Sequence, residues 1–505
     1  MRAPGGASRG SARSKRHGRL SYRRRGLYCV GACQSVEQRI GAARVAAVTR
    51  SSGRSSAAGE PGPSAVRSDS ARAAERGALL AAMIAEVDEQ GYEGTSVAAV
   101  LSRAGLPRKA LYRHFDGKEA CFLAAYDEVS DVSLSRMRAA LKRGGGLPDH
   151  AQAAISALFE IALEYPAGLR LGTIGIAALG APGMERRLAV SARYERFVVE
   201  AVRMAFPDSG KVPRPLARAI VGGLRRTLYR RASPTDHEGL LSLVPGLAAW
   251  ASAYFPTPEA IARSRRSTGG GALQGGRAPG TLAPHPLLSG RRGLARGDQN
   301  ASRSFVVHNQ RERILDAVAN VCAAGGYSSL SVEHVVDGAA VSRDAFYEHF
   351  KDKDDAFVVA YEVGHLKGQT IVEQAYAEQQ DWRAGVRAAV RALLGFLAAE
   401  PAFARLALIE TGVAGRRASD RFHVAAGGYA AILAPGFGQA GASAPPAVAV
   451  EAIIGAITEM CLHDVATGRA AHLPWLEADM TYVALAPFIG ANEAALYATG
   501  RETAQ

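Results

Sequence analysis

The sequence predicts an all-α protein made of two copies of one unit, each a short three-helix domain followed by a larger helical one. An internal repeat returns at a fixed offset of 235 residues. Apolar residues recur at helical spacing in nearly every segment of both copies. Segments rich in Gly, Ser, Pro and Arg set the copies apart. The 505 residues are 48% hydrophobic and 21% charged, which excludes a wholly disordered or fibrous chain. No run approaches 18 consecutive apolar residues and the first residues lack an apolar signal core, so we expect a cytoplasmic protein without membrane partners. Five cysteines (Cys29, Cys33, Cys121, Cys322, Cys461) are too few and scattered for a disulfide framework, and the lone C-x3-C lacks a second ligand pair. No metal or other cofactor is expected.

In chain order, residues 1–70 lack hydrophobic periodicity and are expected to form a disordered basic tail. They hold 14 Lys and Arg against three acids. An organelle transit segment, padding for nonspecific DNA contact and translation from an upstream start codon all fit such text. Residues 263–303 form a flexible linker with eight arginines against Asp298. These two segments account for more than the whole net charge of +14, leaving the rest slightly acidic, so net charge alone says nothing about what the folded parts bind.

The first folded domain is placed at 71–126 and its repeat at 304–361. Leu79, Leu80, Met83, Ile84 and Val87 form an apolar helix face that Ile314, Leu315, Val318, Ala319 and Cys322 repeat. Gly91 and Gly326 stand where that helix should end. Ser96 and Ser331 are N-cap candidates for a second helix, broken near Gly105 and Ala340. A third begins at Arg108 or Arg343. A short helix, a tight turn and a further helix make the helix-turn-helix arrangement, whose later helix enters the DNA major groove. From Gly91 to Tyr126, 15 of 36 positions are identical in the repeat.

The text TSVAAVLSRAGLPRKALYRHFDGKEACF, and its counterpart LSVEHVVDGAAVSRDAFYEHFKDKDDAF, resembles the DNA-binding domain of the TetR family of bacterial transcriptional regulators. The resemblance covers about 50 residues of each copy. It implies two TetR-like units, each a three-helix helix-turn-helix DNA-binding domain plus a helical effector and dimerisation domain at 127–262 and 362–505. It also implies double-stranded operator DNA and an unidentified small-molecule effector as partners. The DNA contacts it points to are Arg108, Lys109, Tyr112, Arg113, His114 and Lys118, and in the second copy Ser342, Arg343, Tyr347, His349 and Lys353.

Residue chemistry agrees. Arg108 and Lys109 open the third helix beside free backbone N–H groups, where side-chain charge and helix dipole both favour a phosphate or a guanine edge. Tyr112 and His114 offer donors to phosphate oxygens, and Lys118 is placed to clamp the backbone from the other side. A Tyr-x-His-Phe run is ordinarily packing. Here Tyr and His return at Tyr347 and His349 while Lys109 becomes Asp344 and Arg113 becomes Glu348. Phe115, Phe350, Leu111 and Phe346 are expected in the core. The acidic changes predict that the second copy binds DNA more weakly or reads a different half-site, and Pro107, where the second copy has Ser342, removes a cap.

In the remaining domains Tyr165, Arg170, Glu410 and His423 are the candidate ligand contacts. Gly222, Gly223 and Gly455 are expected to let the last helices of each copy pack closely. Either the two copies pair within one chain as a pseudo-dimer or two chains form a homodimer. The function expected is a sequence-specific transcriptional regulator, a repressor released by its effector. The alternative is a ligand-sensing or scaffolding protein in which one or both helix-turn-helix units no longer bind DNA. No phosphate loop, metalloprotease helix or nucleophile elbow points to an enzyme.

Overall fold

The computed structural model describes residues 63–142, 146–173, 175–207, 212–231, 237–255 and 303–500. Residues 1–62 of the expected tail and nearly all of the linker lie outside these. The tail boundary at 70 shifts, because helix α1 begins at Pro63, and the run SARAAERGALL is rich in the strong helix formers Ala, Arg, Leu and Glu. A division after Ala81 separates the start of α1 from a body that holds everything from Ala82 onward.

Among the described residues every regular element is a helix. The first copy contains α1 (Pro63–Gly94), α2 (Val97–Ala104), α3 (Arg108–His114), α4 (Lys118–Leu141), α5 (Leu147–Glu164), α6 (Pro166–Thr173), α7 (Gly180–Ala205), α8 (Arg214–Arg231) and α9 (Val244–Ser252). The second contains α10 (Arg303–Gly325), α11 (Val332–Ala339), α12 (Arg343–His349), α13 (Lys353–Ala377), α14 (Trp382–Ala399), α15 (Pro401–Arg405), α16 (Arg416–Gly427), α17 (Val448–Ala466), α18 (Glu477–Ile489) and α19 (Ala491–Thr499). A single turn of π-helix, Leu406–Glu410, follows α15.

Local chemistry fixes the helix-turn-helix ends. Ser96 Oγ accepts the Ala99 N–H at 3.1 Å, and Ser331 Oγ accepts that of His334 at 3.1 Å, capping α2 and α11 as their sequences predict. Both helices end in a left-handed residue. In the first copy it is Gly105 (φ 65°); in the second it is Ala340 (φ 49°), the one non-glycine residue with positive φ among those described. A side chain there costs about 1 kcal/mol relative to glycine. The cores beneath are matching layers, with Val100, Leu111, Phe115 and Phe122 in one copy and Val335, Phe346, Phe350 and Phe357 in the other, all buried.

Long helices α4 and α13 lead from each small domain into a larger helical one. The last helices of the two copies meet there, α8 lying along α17 with α9 and α18 beside them. Their approach needs glycine. A Cβ on Gly222 would stand 2.7 Å from the Gly455 carbonyl oxygen, one on Gly455 would stand 2.6 Å from Arg226 Cβ, and one on Gly223 would meet the Trp250 ring at 2.3 Å. Tyr254 Oη donates to the Val483 carbonyl at 3.1 Å, and Tyr482 Oη donates to that of Tyr254 at 2.8 Å, so hydrogen bonds run both ways between the halves.

Candidate nucleic-acid interface and sensor cavities

Helices α3 and α12 expose one face each. Arg108, Lys109, Tyr112 and Arg113 lie exposed on α3, and Arg343, Asp344, Tyr347 and Glu348 on α12, while Leu111 and Phe346 anchor the opposite faces. Tyr112 is 53% exposed and Tyr347 48%, large values for aromatic rings. The Arg343 guanidinium sits 5.8 Å from the Tyr347 ring centroid. The Ser342 hydroxyl accepts the Ala345 N–H at 3.1 Å, capping α12, and keeps its own O–H for an outside acceptor. Pro107 gives α3 no side-chain cap.

Two residues expected on the DNA take another part. Lys118 does not reach outward as a clamp: its Nζ donates to the carbonyls of Tyr92 (2.9 Å) and Thr95 (3.1 Å) and lies 4.1 Å from the Tyr92 ring centroid. Lys353 likewise donates to the Leu330 carbonyl at 3.1 Å and faces the Tyr327 ring. Both lysines satisfy carbonyls left open where the first helix ends and the second begins, and so act as struts. His114 and His349 are half-buried beside Phe115 and Phe350. Burial lowers the His349 pKa, and its Nε2 is enclosed, so this imidazole presents little to a phosphate.

Behind each helix-turn-helix lies an apolar cavity of about 120 Å³. The cavities are related by the repeat. Val221, Leu224, Arg225 and Leu228 of α8 line the first, and Ile454, Ile457, Thr458 and Cys461 of α17 line the second, position for position at an offset of 233. Tyr126 and Tyr361 face the two cavities from α4 and α13. Burial raises both phenols above their ordinary pKa, keeping them neutral donors. A third cavity of about 90 Å³ lies between the halves and shares Thr173 and Arg225 with the first, and Leu408, Phe422 and Thr458 with the second.

Of the four ligand contacts expected from the sequence, Tyr165 lines its own half's cavity. The other three do not, and each has found a nearer charged or polar partner. Arg170 forms a two-point ion pair with Asp88, Nη2 donating to Oδ2 at 2.6 Å and Nε to Oδ1. Glu410 is buried, accepts the Tyr327 N–H at 2.8 Å through Oε2, and lies 3.1 Å from Arg405 Nε through Oε1. Its pKa is raised, burial outweighing these partners. His423 lines the cavity between the halves, where its Nδ1 meets Arg226 Nη1 at 3.0 Å and its carbonyl accepts from Nη2 at 2.8 Å. Burial first, then Arg226, push its pKa to about 3, so it is neutral.

Arg170 and Arg405 are repeat counterparts, yet they join different acids: Asp88 on α1 in one copy, Glu410 beneath the start of Tyr327–Ser329 in the other. Both arginines stand on the helix whose continuation walls the cavity, through Gly172 and Thr173 or Ala407 and Leu408. The π-turn Leu406–Glu410 falls at this junction, a deformation frequent at functional sites.

Sequence reasoning missed the interface charges. Glu459 of α17 has a side chain 5% exposed, with Oε2 accepting from Arg187 Nη2 at 2.6 Å and Oε1 from Arg225 Nη1 at 2.7 Å. Burial alone would raise its pKa, but the two guanidinium groups outweigh it and hold the carboxylate at about 2. Arg230 and Arg231 both pair with Glu451 at 2.9 Å. The sign contrast between RRTLYRR and TEMCLHD in the two interface helices is the signal that points to them.

Two helix-turn-helix domains, one joined to its helical body through Arg170 and Asp88 and the other through Glu410 and the Tyr327 N–H, each body with an apolar cavity, define a class of helical regulatory protein. The pattern of bacterial regulatory proteins of the tetR family matches residues 79–125 and again 314–358. The chain thus carries the DNA-binding domain of the TetR family twice. It is 30% identical over 96 residues to the HTH-type transcriptional activator FasR of Mycolicibacterium smegmatis, covering 19% of this chain and 44% of that protein. It is 30% identical over 135 residues to the HTH-type transcriptional regulator CymR of Pseudomonas putida, covering 26% and 66%. The chain thus spans less than two thirds of the length of either relative. A solved TetR family transcription regulator from Marinobacter aquaeolei VT8 aligns with 36% of this chain and 96% of its own at 24% identity, TM-score 0.27.

Proposed function

We propose that the protein is a sequence-specific DNA-binding transcriptional regulator, acting as a repressor, whose two halves pair within one chain and release DNA when small apolar molecules fill the cavities. The observation that carries this is the path from cavity to helix-turn-helix: the helical segment that walls each cavity also holds the residue that reaches the small domain, Arg170 paired with Asp88 in one half and Glu410 accepting the Tyr327 N–H in the other. A ligand that shifts that helix shifts the pair, and with it the aim of α3 or α12. Arg108, Lys109, Tyr112 and Arg113 carry base and phosphate contacts on the first surface, and Ser342, Arg343 and Tyr347 on the second. Because α3 and α12 differ in charge, the operator is asymmetric, unlike the palindromes that symmetric dimers read.

A second reading has one observation in its favour: Asp344 and Glu348 lie exposed beside Arg343 on the surface of α12. Under it the second half senses ligand and props the first without touching DNA. Fragmented genomic DNA captured by the full chain and sequenced tests both. Enrichment at discrete sites supports the regulator, a bipartite footprint supports two reading helices, a footprint over one half-site supports the second reading, and uniform recovery refutes sequence-specific binding.

A further inference from the structure

The two cavities are alike in size and in their apolar walls, yet they differ in one chemical respect. Arg225 is the one charged side chain among the described residues lining the first cavity, and its repeat counterpart in the second is Thr458. A desolvated guanidinium at the end of an apolar cavity discriminates sharply. A neutral ligand gains little from a guanidinium that already has protein acceptors, whereas a carboxylate meets the planar fork in charge-assisted, two-point geometry. One guanidinium matches one negative charge, so a phosphate dianion would lack donors. The volume of about 120 Å³, close to the roughly 150 Å³ of a cavity that holds benzene, limits the apolar part to a single ring or a short branched chain.

Arg225 also faces the other half. Its Nη1 donates to Glu459 Oε1 at 2.7 Å, and its Nη2 donates to Ser191 Oγ at 2.9 Å. A ligand carboxylate at Arg225 therefore introduces a second negative charge beside Glu459. The second cavity offers no such cation: Thr458 stands in that place, and burial lowers the pKa of the His365 that lines it. Resting on the reading of these cavities as effector sites, we propose that the first cavity takes a small apolar carboxylate whose charged end pairs with Arg225 in competition with Glu459. The interface between the halves then registers its arrival. The second cavity takes an uncharged apolar molecule. The chain is a two-input device in which only one input is charged.

The competition is reciprocal: if the ligand weakens the pair to Glu459, removal of the Glu459 charge strengthens the ligand. The test uses the full chain with 4-fluorobenzoate and its uncharged analogue 4-fluorobenzamide, followed by fluorine NMR and calorimetry. The benzoate should fill one site per chain about ten-fold or more tightly than the amide, the margin of a charge-assisted pair. Arg225→Thr, which installs the second half's residue and leaves Glu459 paired with Arg187, should abolish that preference. Glu459→Gln should tighten benzoate about five-fold or more, in the ordinary range of coupling between sites. Melting curves of both variants establish that they remain folded.

Equal affinity for the two probes, a preference that survives Arg225→Thr, looser benzoate binding in Glu459→Gln, or no benzoate binding in the millimolar range each overturns the proposal. Gel shifts on the captured genomic sites keep the two levels apart. DNA binding without carboxylate preference sinks this inference alone, and carboxylate preference without DNA binding sinks the regulator and leaves the charged sensor standing.

Discussion

Glu459→Gln removes one formal charge from the centre of the interface and leaves Arg187 and Arg225 enclosed without their counter-ion. The size of the effect follows from the carboxylate's pKa, held at about 2 against an ordinary 4.5. A depression of about 2.5 units corresponds to about 3 kcal/mol of stabilisation of the charged form. Loss of one partner from a buried pair costs a similar amount, about 3–5 kcal/mol. With an unfolding entropy of about 2.1 cal/mol/K per residue over about 400 residues unfolding together, 3 kcal/mol lowers Tm by roughly 4 °C. The sign in pH is fixed by the direction of the shift. A carboxylate with a depressed folded pKa contributes its full stability above about pH 5 and loses it as pH falls towards 2. The wild-type chain should therefore shed about 3 kcal/mol over that window in excess of the variant, so the two melting curves converge at low pH. Calorimetry between pH 2 and pH 7 measures this. A variant that melts within about 1 °C of wild type at pH 7, or one with an unchanged acid limb, would refute the claim that this ion triad holds the halves together.

Three further outcomes follow from particular residues. Arg108→Ala with Lys109→Ala should weaken binding to the captured operator by about 1–3 kcal/mol for each of the two side chains that reads a base, measured in a gel-shift titration, and Arg343→Ala should cost less because Asp344 and Glu348 already weaken its face. Ala340→Gly should stabilise the chain by about 0.5–1 kcal/mol in urea unfolding, since the left-handed conformation at φ 49° suits glycine and the repeat already has Gly105 there. Gly455→Val should cost about 2 kcal/mol or more, because its Cβ would be forced to within 2.6 Å of Arg226 Cβ and 2.7 Å of the Gly222 carbonyl oxygen. Sedimentation should then show the 52.9 kDa chain expanding as its halves part.

The helix-turn-helix units were legible in the sequence because what makes them is local. A serine cap sits three residues from the N–H it accepts, the left-handed terminus needs a small residue, and the repeat displays each device twice. The DNA-facing positions on α3 and α12 were read from the family resemblance together with the charge and hydrogen-bonding chemistry of their side chains. The misplacements share one cause, a partner distant in sequence. Lys118 has the right charge for a phosphate clamp, but two open carbonyls at Tyr92 and Thr95, 26 and 23 residues earlier, take its ammonium. Arg170 is claimed by Asp88, 82 residues away, and Glu410 by Tyr327, 83 away. No periodicity forecasts such pairings. Arg225 escaped notice because it is one of six arginines on α8 and looks like part of a solvated face. Only its register with Thr458 and its hydrogen bond to Glu459 reveal that it points inward.

The duplication explains why those interface charges can exist at all. In a symmetric dimer each interface residue meets a surface identical to its own, so a charge near the axis faces its like. Arg226 and Glu459 occupy equivalent positions at the repeat offset of 233. Two copies of α8 facing each other would crowd Arg225 and Arg226 against the same pair from the other side, with no acid among them. Two copies of α17 would set each Glu459 against a Gly455, as it now stands against Gly222, without the Arg225 that pairs with it. Either like pairing buries uncompensated charge, at a cost of several kcal/mol, whereas α8 against α17 places Arg187 and Arg225 on Glu459 and Arg230 and Arg231 on Glu451. The tether raises the local concentration of the correct partner to about the millimolar range, so the unlike pairing is favoured by both charge and proximity. Once the halves no longer have to match themselves, each is free to change alone. The acidic α12 beside the basic α3, the different anchors of Arg170 and Arg405, and Arg225 against Thr458 in the two cavities are changes of that kind.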